Sequence, residues 1–308
     1  MRIETIRLAE LEGRPAAGGL LAGSEATLTA YLLDDVGKCE VVPRAAVVVC
    51  PGGAYTHLAD REAEPVAMAF AAAGCQAYVL RYSLGQAGAP APGEVAQAAF
   101  PRCLDELAAS VALVRERAAG WDVDPGRVFV CGFSAGGHLA LMLATTWQAQ
   151  AERMGLADAP ELVRPSGEVL GYPLADVSAF ADLLETAPAD STSHAVQVGR
   201  AASRAMYGTA DPTREQILAL SPVQLVSSQM PPAFVWGTGE DRTVDPRGAV
   251  ALAGACLSHG VPCELHLFER GPHGMSLASP VVAGPGGTRV DADAAQWLDL
   301  AIRWIRRH

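Results

Sequence analysis

The sequence predicts an α/β fold in which helices cover both faces of a mainly parallel sheet. A continuous β-branched apolar run at 45–50 is typical of a strand buried on both faces. Stretches of helical period separate this run from further short apolar segments. Strand-helix alternation at this spacing indicates parallel strands joined by crossover helices. Segments 3–8 and 26–33 instead alternate apolar and polar residues, which predicts an antiparallel pair of half-exposed strands at the start.

After the opening pair, the predicted elements follow one another in a regular order. Predicted strands cover 45–50, 76–82, 127–131, 168–172, 234–236 and 263–268. Predicted helices cover 60–73, 100–119, 135–150, 246–259 and 291–306. Gly74 ends the first helix as a C-cap, because glycine adopts the left-handed conformation without steric cost.

Two stretches interrupt the alternation. Residues 83–99 are rich in Gly, Ala and Pro and are predicted to form a long loop. Residues 176–222 contain short helical pieces, such as 198–207, and we interpret them as a cap or lid insertion. A chain of 308 residues suits a single core of this class, so we expect one domain over 1–308.

Charge and composition restrict the partners. The chain has 23 Lys and Arg against 34 Asp and Glu, a net charge of −11. Nucleic acids and anionic membranes attract basic surfaces, so this acidity argues against both as partners. No apolar run reaches the ~18 residues that a membrane-spanning helix needs, and the charged first residues do not resemble a secretion signal.

The cysteines and histidines show no metal-ligand spacing. The seven cysteines are scattered, and we expect free thiols and a cytoplasmic protein. There is no Gly-Lys-Ser/Thr loop, no His-x-x-x-His and no Cys-x-x-Cys, so neither a metal nor another cofactor is expected.

The strongest motif is a G-x-S-x-G sequence at 132–136, with Ser134 at its centre. This motif places a serine on a tight turn between a strand and a helix. An apolar strand enters it at 128–131, and an alanine- and leucine-rich helix leaves it. A glycine-rich turn with an ordinary serine is the alternative, and the strand-turn-helix context disfavours it. We predict that Ser134 is a nucleophile.

A serine hydroxyl needs a base to accept its proton, and His273 is the best placed of the seven histidines. It follows the last predicted strand, at the sheet edge where active sites of this fold class lie. His138 lies one helical turn after Ser134 and is expected to pack or hydrogen-bond locally. The remaining histidines are at loops, a strand, a helix end or the terminus: His57, His194, His259, His266 and His308.

The loop after the strand at 234–236 offers three carboxylates to orient His273. Asp245 precedes Pro246, so we expect it to cap the following helix. Glu240 lies nearer the strand and stays an alternative. Asp241 lies at the loop crest and is the preferred orienting acid.

The predicted oxyanion hole uses backbone N–H groups from Gly52, Gly53, Ala54 and Ala135. Ala135 follows the nucleophile, and the glycines follow a buried strand, where bare backbone can approach a ligand. Tyr55, Tyr82 and Trp236 are candidates for the pocket mouth, although aromatic residues usually belong to the core.

Together these motifs resemble the acetyl-xylan-esterase and feruloyl-esterase branch of the α/β-hydrolases. The resemblance extends from about residue 45 to the end, and its motifs are 51–53, 61–65, 132–138 and 271–274. It implies an α/β-hydrolase fold and deacetylation of acetylated sugars by a Ser-Asp-His triad without a cofactor. Members often carry Trp and then His-Thr-Ala-Asp-Asp before the acid. Here 236–241 reads Trp-Gly-Thr-Gly-Glu-Asp, and the second acidic position falls on Asp241.

The predicted function is therefore hydrolysis of a small-molecule carboxylic ester, such as an acetylated (xylo-)oligosaccharide, through an acyl-enzyme. One alternative is a prolyl-oligopeptidase-like peptidase in which Glu62 and Glu64 bind a peptide amino terminus. The simpler interpretation of these acids is a complement to a helix dipole. A second alternative is a hydrolase-like binding protein without activity. The sequence leaves the acyl group, the alcohol and the oligomeric state open, a homo-oligomer included.

Overall fold

The computed structural model describes residues 1–11, 20–34, 43–86, 97–188, 190–210 and 212–308. The strands are β1 (Arg2–Arg7), β2 (Thr27–Leu32), β3 (Arg44–Cys50), β4 (Gln76–Arg81), β5 (Val123–Phe133), β6 (Gly167–Gly171), β7 (Ala233–Thr238) and β8 (Cys263–Phe268). The α-helices are α1 (Glu64–Ala72), α2 (Arg102–Glu116), α3 (Ala135–Arg153), α4 (Ser178–Thr186), α5 (His194–Tyr207), α6 (Arg214–Leu218), α7 (Pro222–Leu225), α8 (Arg247–Ser258) and α9 (Trp297–Arg307).

The described strands form one sheet in the order β1-β2-β4-β3-β5-β6-β7-β8. The β1–β2 and β2–β4 pairs are antiparallel, and every later pair is parallel. The predicted α/β class, with its antiparallel start and its parallel remainder, is confirmed. The order places β3, β5, β6 and β7 side by side at the centre, so their carboxyl ends meet at one edge of the sheet.

The strand register brings the predicted motifs to that edge. Cys50 at the end of β3 pairs with Gly132 of β5, and Phe133 pairs with Gly171 at the end of β6. The glycine loop after β3 and the serine turn after β5 are therefore neighbours. Their proximity follows from the pairing of two strands that lie about 80 residues apart in the chain.

The sheet separates two apolar layers. Val48 and Val130 face one layer, beneath α2 and α3, whereas Val47 and Phe129 face the other, beneath α1 and α9. Successive residues of a strand point to opposite faces, so a strand covered on both sides must be apolar at every position. This requirement explains the unbroken apolar run of β3, in which 45–50 are all buried.

The ends of several elements differ from the predictions. The helix predicted at 60–73 is a single 3₁₀ turn, Asp60–Glu62, followed by α1. Pro65 lies in the first turn of α1, where its missing N–H has no cost. The helix predicted at 291–306 likewise begins with a 3₁₀ turn, Ala294–Gln296, before α9. The predicted loop 83–99 lies partly outside the described residues.

The segment between β6 and β7 contains α4, α5, α6 and α7. This is the region that the sequence predicts to be a cap. Helix α5 is bonded to the segment before α2, because the carbonyl of Ala205 on α5 accepts the Ala99 N–H at 2.6 Å. Among the described helices, none has the length and apolar character needed to cross a bilayer.

Glu168 on β6 is a fully buried acid whose carboxyl oxygens have no hydrogen-bond partner within the described residues. Burial raises the pKa of Glu168 well above its ordinary value, because a low-dielectric core disfavours the charged form. The unfolded chain releases this proton above about pH 4.3, whereas the folded chain retains it until the raised pKa is reached. The contribution of this carboxyl to folding stability is therefore lost as the pH rises from its unfolded-state pKa to its raised folded-state pKa.

We expect Glu168→Leu to stabilise the fold by about 1–3 kcal/mol at pH 8, because it removes an unpaired polar group from the core. Urea denaturation of both proteins at pH 8 and pH 4 measures the gain. The gain should shrink at pH 4, where the carboxyl is protonated in the folded state and mostly protonated in the unfolded state. Equal stability of the two proteins at pH 8 would contradict this prediction.

Candidate active site

Ser134 lies at the turn between β5 and α3, with φ 51° and ψ −116°. A non-glycine residue at such angles is strained by about 1–3 kcal/mol, and the surrounding packing must hold it. A Cβ on Gly132 would collide with the Gly136 carbonyl, and a Cβ on Gly136 would collide with the Cys50 carbonyl. The two glycines of the motif thus allow the turn to close and expose the serine hydroxyl.

His273 lies in the loop after β8 and reaches Ser134 from across the sheet edge. Its Nε2 is 2.9 Å from Ser134 Oγ, and its Nδ1 is 2.6 Å from Asp241 Oδ2. With the Nδ1 proton directed to the carboxylate, Nε2 is free to accept the serine proton. The structure therefore brings the predicted nucleophile, base and acid into one hydrogen-bonded chain.

Two backbone donors hold the Asp241 carboxylate in place. Oδ1 accepts the N–H groups of Thr243 at 2.8 Å and of Val244 at 3.0 Å, which leaves Oδ2 for His273. The Asp241 side chain is 2 % exposed, and the His273 side chain is 17 % exposed. Because the acid is buried and fully bonded, it can fix the orientation of the imidazole.

The other two acids of this loop have different partners. Glu240 Oε2 accepts the Gly271 N–H at 3.1 Å, which ties the acid loop to the histidine loop. Asp245 accepts the backbone N–H of Arg247 at 2.9 Å and forms an ion pair with its guanidinium. Hydrogen bonds from Arg247 lower the pKa of Asp245. Asp245 thus binds the first N–H of α8, as expected of a helix-start acid, although Pro246 occupies the cap position.

Three of the four predicted oxyanion donors border a cavity beside Ser134. Gly53, Ala54 and Ala135 line it, and their N–H groups bond no acceptor within the described part of the chain. Ala135 is the first residue of α3, so its N–H has no partner inside the helix. Positive φ angles at Gly53 and Ala54 shape this oxyanion loop, which we define as residues 52–55.

Gly52 departs from the prediction. Its N–H donates to Glu62 Oε2 at 2.8 Å, so this donor is already bonded and does not point at a substrate. The sequence suggests a donor at Gly52 because glycines adjoin it, but it cannot show a buried acid ten residues later reaching back to it. Within the oxyanion loop, the available donors are Gly53 and Ala54.

Tyr55 lines the cavity, but its hydroxyl is committed to His138. The Tyr55 hydroxyl and His138 Nδ1 are 2.7 Å apart, and His138 Nε2 is 2.8 Å from the Leu220 carbonyl. A carbonyl only accepts, so Nε2 carries the proton and the tyrosine donates to Nδ1. Burial lowers the pKa of His138 to about 4, so it stays neutral. His138 therefore joins α3 to the segment before α7 and is separate from the Ser134 pair.

Tyr82 and Trp236 do not border the cavity, which corrects their predicted place at the pocket mouth. The Tyr82 hydroxyl donates to the Pro51 carbonyl at 2.6 Å, and the ring is buried. The Trp236 ring stacks on Trp297 with centroids 5.0 Å apart. Tyr82 directly follows β4, whereas Trp236 lies within β7, and both side chains are buried in the core.

The cavity has a volume of about 200 Å³ and an apolar wall that the sequence analysis did not identify. This wall consists of Leu174, Phe180, Val198, Ala202, Met206 and Val244. Three of its members recur every fourth residue along α5, a spacing that marks one helix face. That periodicity is visible in the sequence, but the sequence does not show that this helix face lies beside Ser134, because tertiary packing sets its position.

Glu62 and Glu64 are the acids considered for binding a peptide amino group, and their surroundings do not favour that role. Glu62 is 1 % exposed and accepts three side-chain or backbone donors. Glu64 Oε1 accepts the Tyr31 hydroxyl at 2.9 Å, and Glu64 does not border the cavity beside Ser134. Glu62 is therefore committed to other donors, and Glu64 lies away from the cavity. The described residues also contain no cluster of three or more His, Cys, Asp or Glu suited to a metal ion.

The fold and the site define the class of this protein. A mainly parallel sheet, of eight strands in the described part of the chain, with a strained serine at the turn after a central strand is the α/β-hydrolase arrangement. The family model described as alpha/beta hydrolase fold matches residues 47–277, and the chain belongs to this family.

Two curated relatives match about four fifths of this chain. The chain is 28 % identical over 256 residues to endo-1,4-beta-xylanase B of Butyrivibrio fibrisolvens, covering 82 % of the chain and 35 % of the relative. It is 25 % identical to acetylxylan esterase of Xylanibacter ruminicola, covering 80 % of the chain and 46 % of the relative. The chain thus spans less than half the length of these relatives.

Two solved structures match nearly the whole chain. A carboxylesterase from Lactobacillus plantarum superposes with a TM-score of 0.77 at 28 % identity, covering 100 % of this chain and 98 % of that one. An acetyl ester-xyloside bifunctional hydrolase from Caldicellulosiruptor lactoaceticus superposes with a TM-score of 0.72 at 28 % identity, covering 99 % of this chain and 96 % of that one. The resemblance to the esterase branch of the α/β-hydrolases is confirmed.

Proposed function

We propose that this protein is a serine carboxylic ester hydrolase in which Ser134, His273 and Asp241 act as the catalytic triad. The observation that carries the proposal is the continuous chain Ser134 Oγ–His273 Nε2 (2.9 Å) and His273 Nδ1–Asp241 Oδ2 (2.6 Å). It lies beside a cavity lined by Gly53, Ala54 and Ala135, whose N–H groups bond no acceptor among the described residues. The similarity to proteins named carboxylesterase and acetylxylan esterase supports the ester class.

In the proposed mechanism, His273 accepts the Ser134 proton as Oγ attacks the ester carbonyl. The N–H groups of Gly53, Ala54 and Ala135 stabilise the oxyanion of the tetrahedral intermediate. The imidazolium then donates its proton to the departing alcohol, which leaves an acyl group on Ser134. Water, deprotonated by His273, attacks the acyl-enzyme and releases the carboxylic acid. Asp241 stabilises the imidazolium at both stages.

The cavity and the relatives favour a short acyl group. A volume of about 200 Å³ accommodates a small acid with part of its alcohol. The apolar wall suits an acyl chain or the apolar face of a sugar ring. We therefore propose acetylated (xylo-)oligosaccharides as the first natural substrates to test. We also infer that α4, α5 and α6 act as a cap over Ser134, with α4 and α5 supplying part of this wall.

Hydrolysis of p-nitrophenyl esters of increasing acyl length tests the proposal directly. The expected result is hydrolysis that favours short acyl groups, with little turnover of an aminoacyl-p-nitroanilide. Preference for the anilide would support the peptidase alternative. An inactive protein whose Ser134 does not react with a fluorophosphonate would support the non-catalytic binding protein. Cytoplasmic location and homo-oligomer formation stay predictions.

Ala202→Trp should exclude longer acyl chains, because Ala202 is a small residue on the apolar wall. An indole there fills space that a hexanoyl chain would need. We expect kcat/KM for p-nitrophenyl hexanoate to fall about 10–100-fold, while that for acetate stays within about threefold. Ala201→Trp is the matched control, since this neighbour on α5 is half-buried and does not border the cavity. Equal losses for both esters would contradict the assignment of this wall.

A further inference from the structure

We propose that Glu62 is a positioning residue that holds the oxyanion loop and the His273 loop in register with Ser134. Its carboxylate is buried between the two loops. Oε2 accepts the Gly52 N–H at 2.8 Å, and Oε1 accepts the Tyr172 hydroxyl at 2.9 Å. The inference rests on the proposed function, since it concerns the same catalytic centre.

On the oxyanion side, Glu62 fixes the first residue of the loop. The Gly52 carbonyl accepts the Ala59 N–H at 3.0 Å, so both backbone groups of Gly52 are bonded. The next two N–H groups, of Gly53 and Ala54, are left to face the cavity. A Cβ on Gly52 would come within 2.7 Å of Glu62 Oε2, so only glycine permits this contact.

On the histidine side, Glu62 acts through Tyr172. The Tyr172 ring packs edge-on against the His273 imidazole, with centroids 5.0 Å apart. Its hydroxyl also accepts the Ser276 N–H at 2.8 Å, which anchors the chain three residues after the histidine. Burial, together with the nearby Glu62 carboxylate, raises the pKa of Tyr172 well above its ordinary value. The phenol therefore keeps the proton that it donates to Glu62.

Arg61 gives the same carboxylate a second connection to the histidine loop. Its guanidinium donates from Nη2 to Glu62 Oε1 at 3.2 Å and from Nε to the Gly274 carbonyl at 2.9 Å. The Ser276 hydroxyl in turn donates to the Arg61 carbonyl at 2.6 Å. Arg61 thus contacts the histidine loop at Gly274 and at Ser276, one and three residues after His273.

The pattern of donors requires a carboxylate at this position. Both Glu62 oxygens accept, one from the oxyanion side and one from the histidine side. A glutamine has a single acceptor oxygen, so its NH₂ group would face either the Gly52 N–H or the Arg61 Nη2 donor, neither of which can accept a hydrogen bond. One of the two loops would then lose its anchor while the size of the side chain is unchanged.

The test compares Glu62→Gln with Glu64→Gln, a neighbouring acid whose contact is Tyr31 and not the site. Rates are expressed per active site, counted by titration with a fluorophosphonate. We expect Glu62→Gln to lower kcat about 10–100-fold with KM within about threefold, since misplaced catalytic groups slow chemistry more than binding. Glu64→Gln should keep kcat within about twofold of wild type.

Tyr172→Phe removes only the histidine-side hydroxyl, with its bonds to Glu62 and to the Ser276 N–H, and tests the inference even if Glu62→Gln does not fold. We expect it to lower kcat per active site about 3–10-fold with little change in KM. Wild-type kcat per active site in the folded Glu62→Gln and Tyr172→Phe proteins would overturn the inference and leave Glu62 a structural residue. A wild-type protein that neither hydrolyses esters nor reacts with the fluorophosphonate would instead refute the proposed function.

Discussion

Ser134→Ala is expected to lower kcat for p-nitrophenyl acetate by about 10⁴–10⁶-fold, the largest effect that we predict for a single substitution. In the proposed mechanism this residue supplies the attacking oxygen, and its hydroxyl lies 2.9 Å from the His273 Nε2 that accepts its proton. Steady-state hydrolysis measures the loss, and labelling by a fluorophosphonate should disappear in parallel.

Ser178→Ala is the matched control for the serine substitution. This serine begins α4, and its hydroxyl bonds Asp176 at 2.6 Å. We expect its kcat to stay within about threefold of wild type. A Ser134→Ala protein that is correctly folded and retains wild-type hydrolysis would show that the triad assignment is wrong.

Asp241→Asn is expected to lower kcat about 10⁴-fold with little change in fold. The asparagine amide can direct its NH₂ at Nδ1, which favours the imidazole tautomer that carries its proton on Nε2. That tautomer cannot accept the Ser134 proton. The backbone N–H groups of Thr243 and Val244 donate to the other side-chain oxygen, Oδ1, so the loop should keep its shape.

Glu240→Gln separates the two acids that the sequence left as alternatives. Glu240 contacts only the Gly271 N–H among its described hydrogen bonds, and a glutamine oxygen can still accept from it. We expect kcat within about fivefold of wild type. The opposite result, an inactive Glu240→Gln protein and an active Asp241→Asn protein, would show that Glu240 orients His273.

The fold was predictable because its signals are local. An apolar run at every position of β3 indicates a strand covered on both faces, and the strand-turn-helix around Ser134 indicates the turn after β5. Element ends were less predictable. The 3₁₀ turn before α1, for example, depends on the Glu62 N–H bonding to Ala59, a choice made by the packing around that turn.

Roles that depend on contacts between distant segments were predicted less well. Trp236 adjoins the acid loop in sequence, yet it stacks on Trp297 from the last helix. Gly52 looks like an oxyanion donor, yet its N–H is bonded to Glu62. In both cases the partner lies in another element, and nothing in the local sequence shows its orientation.

The sequence by itself predicted the α/β class and the serine turn, and it selected His273 as the proposed base. Each is encoded within a few residues, by strand periodicity, by glycines that a tight turn requires, or by position after a strand. The tertiary structure decided the 2.6 Å contact of Asp241, the available oxyanion donors, the apolar wall and the place of Glu62. These features depend on side chains from separate strands and loops that meet at one edge of the sheet. The strand order determines which of them meet, and no local sequence pattern specifies that order.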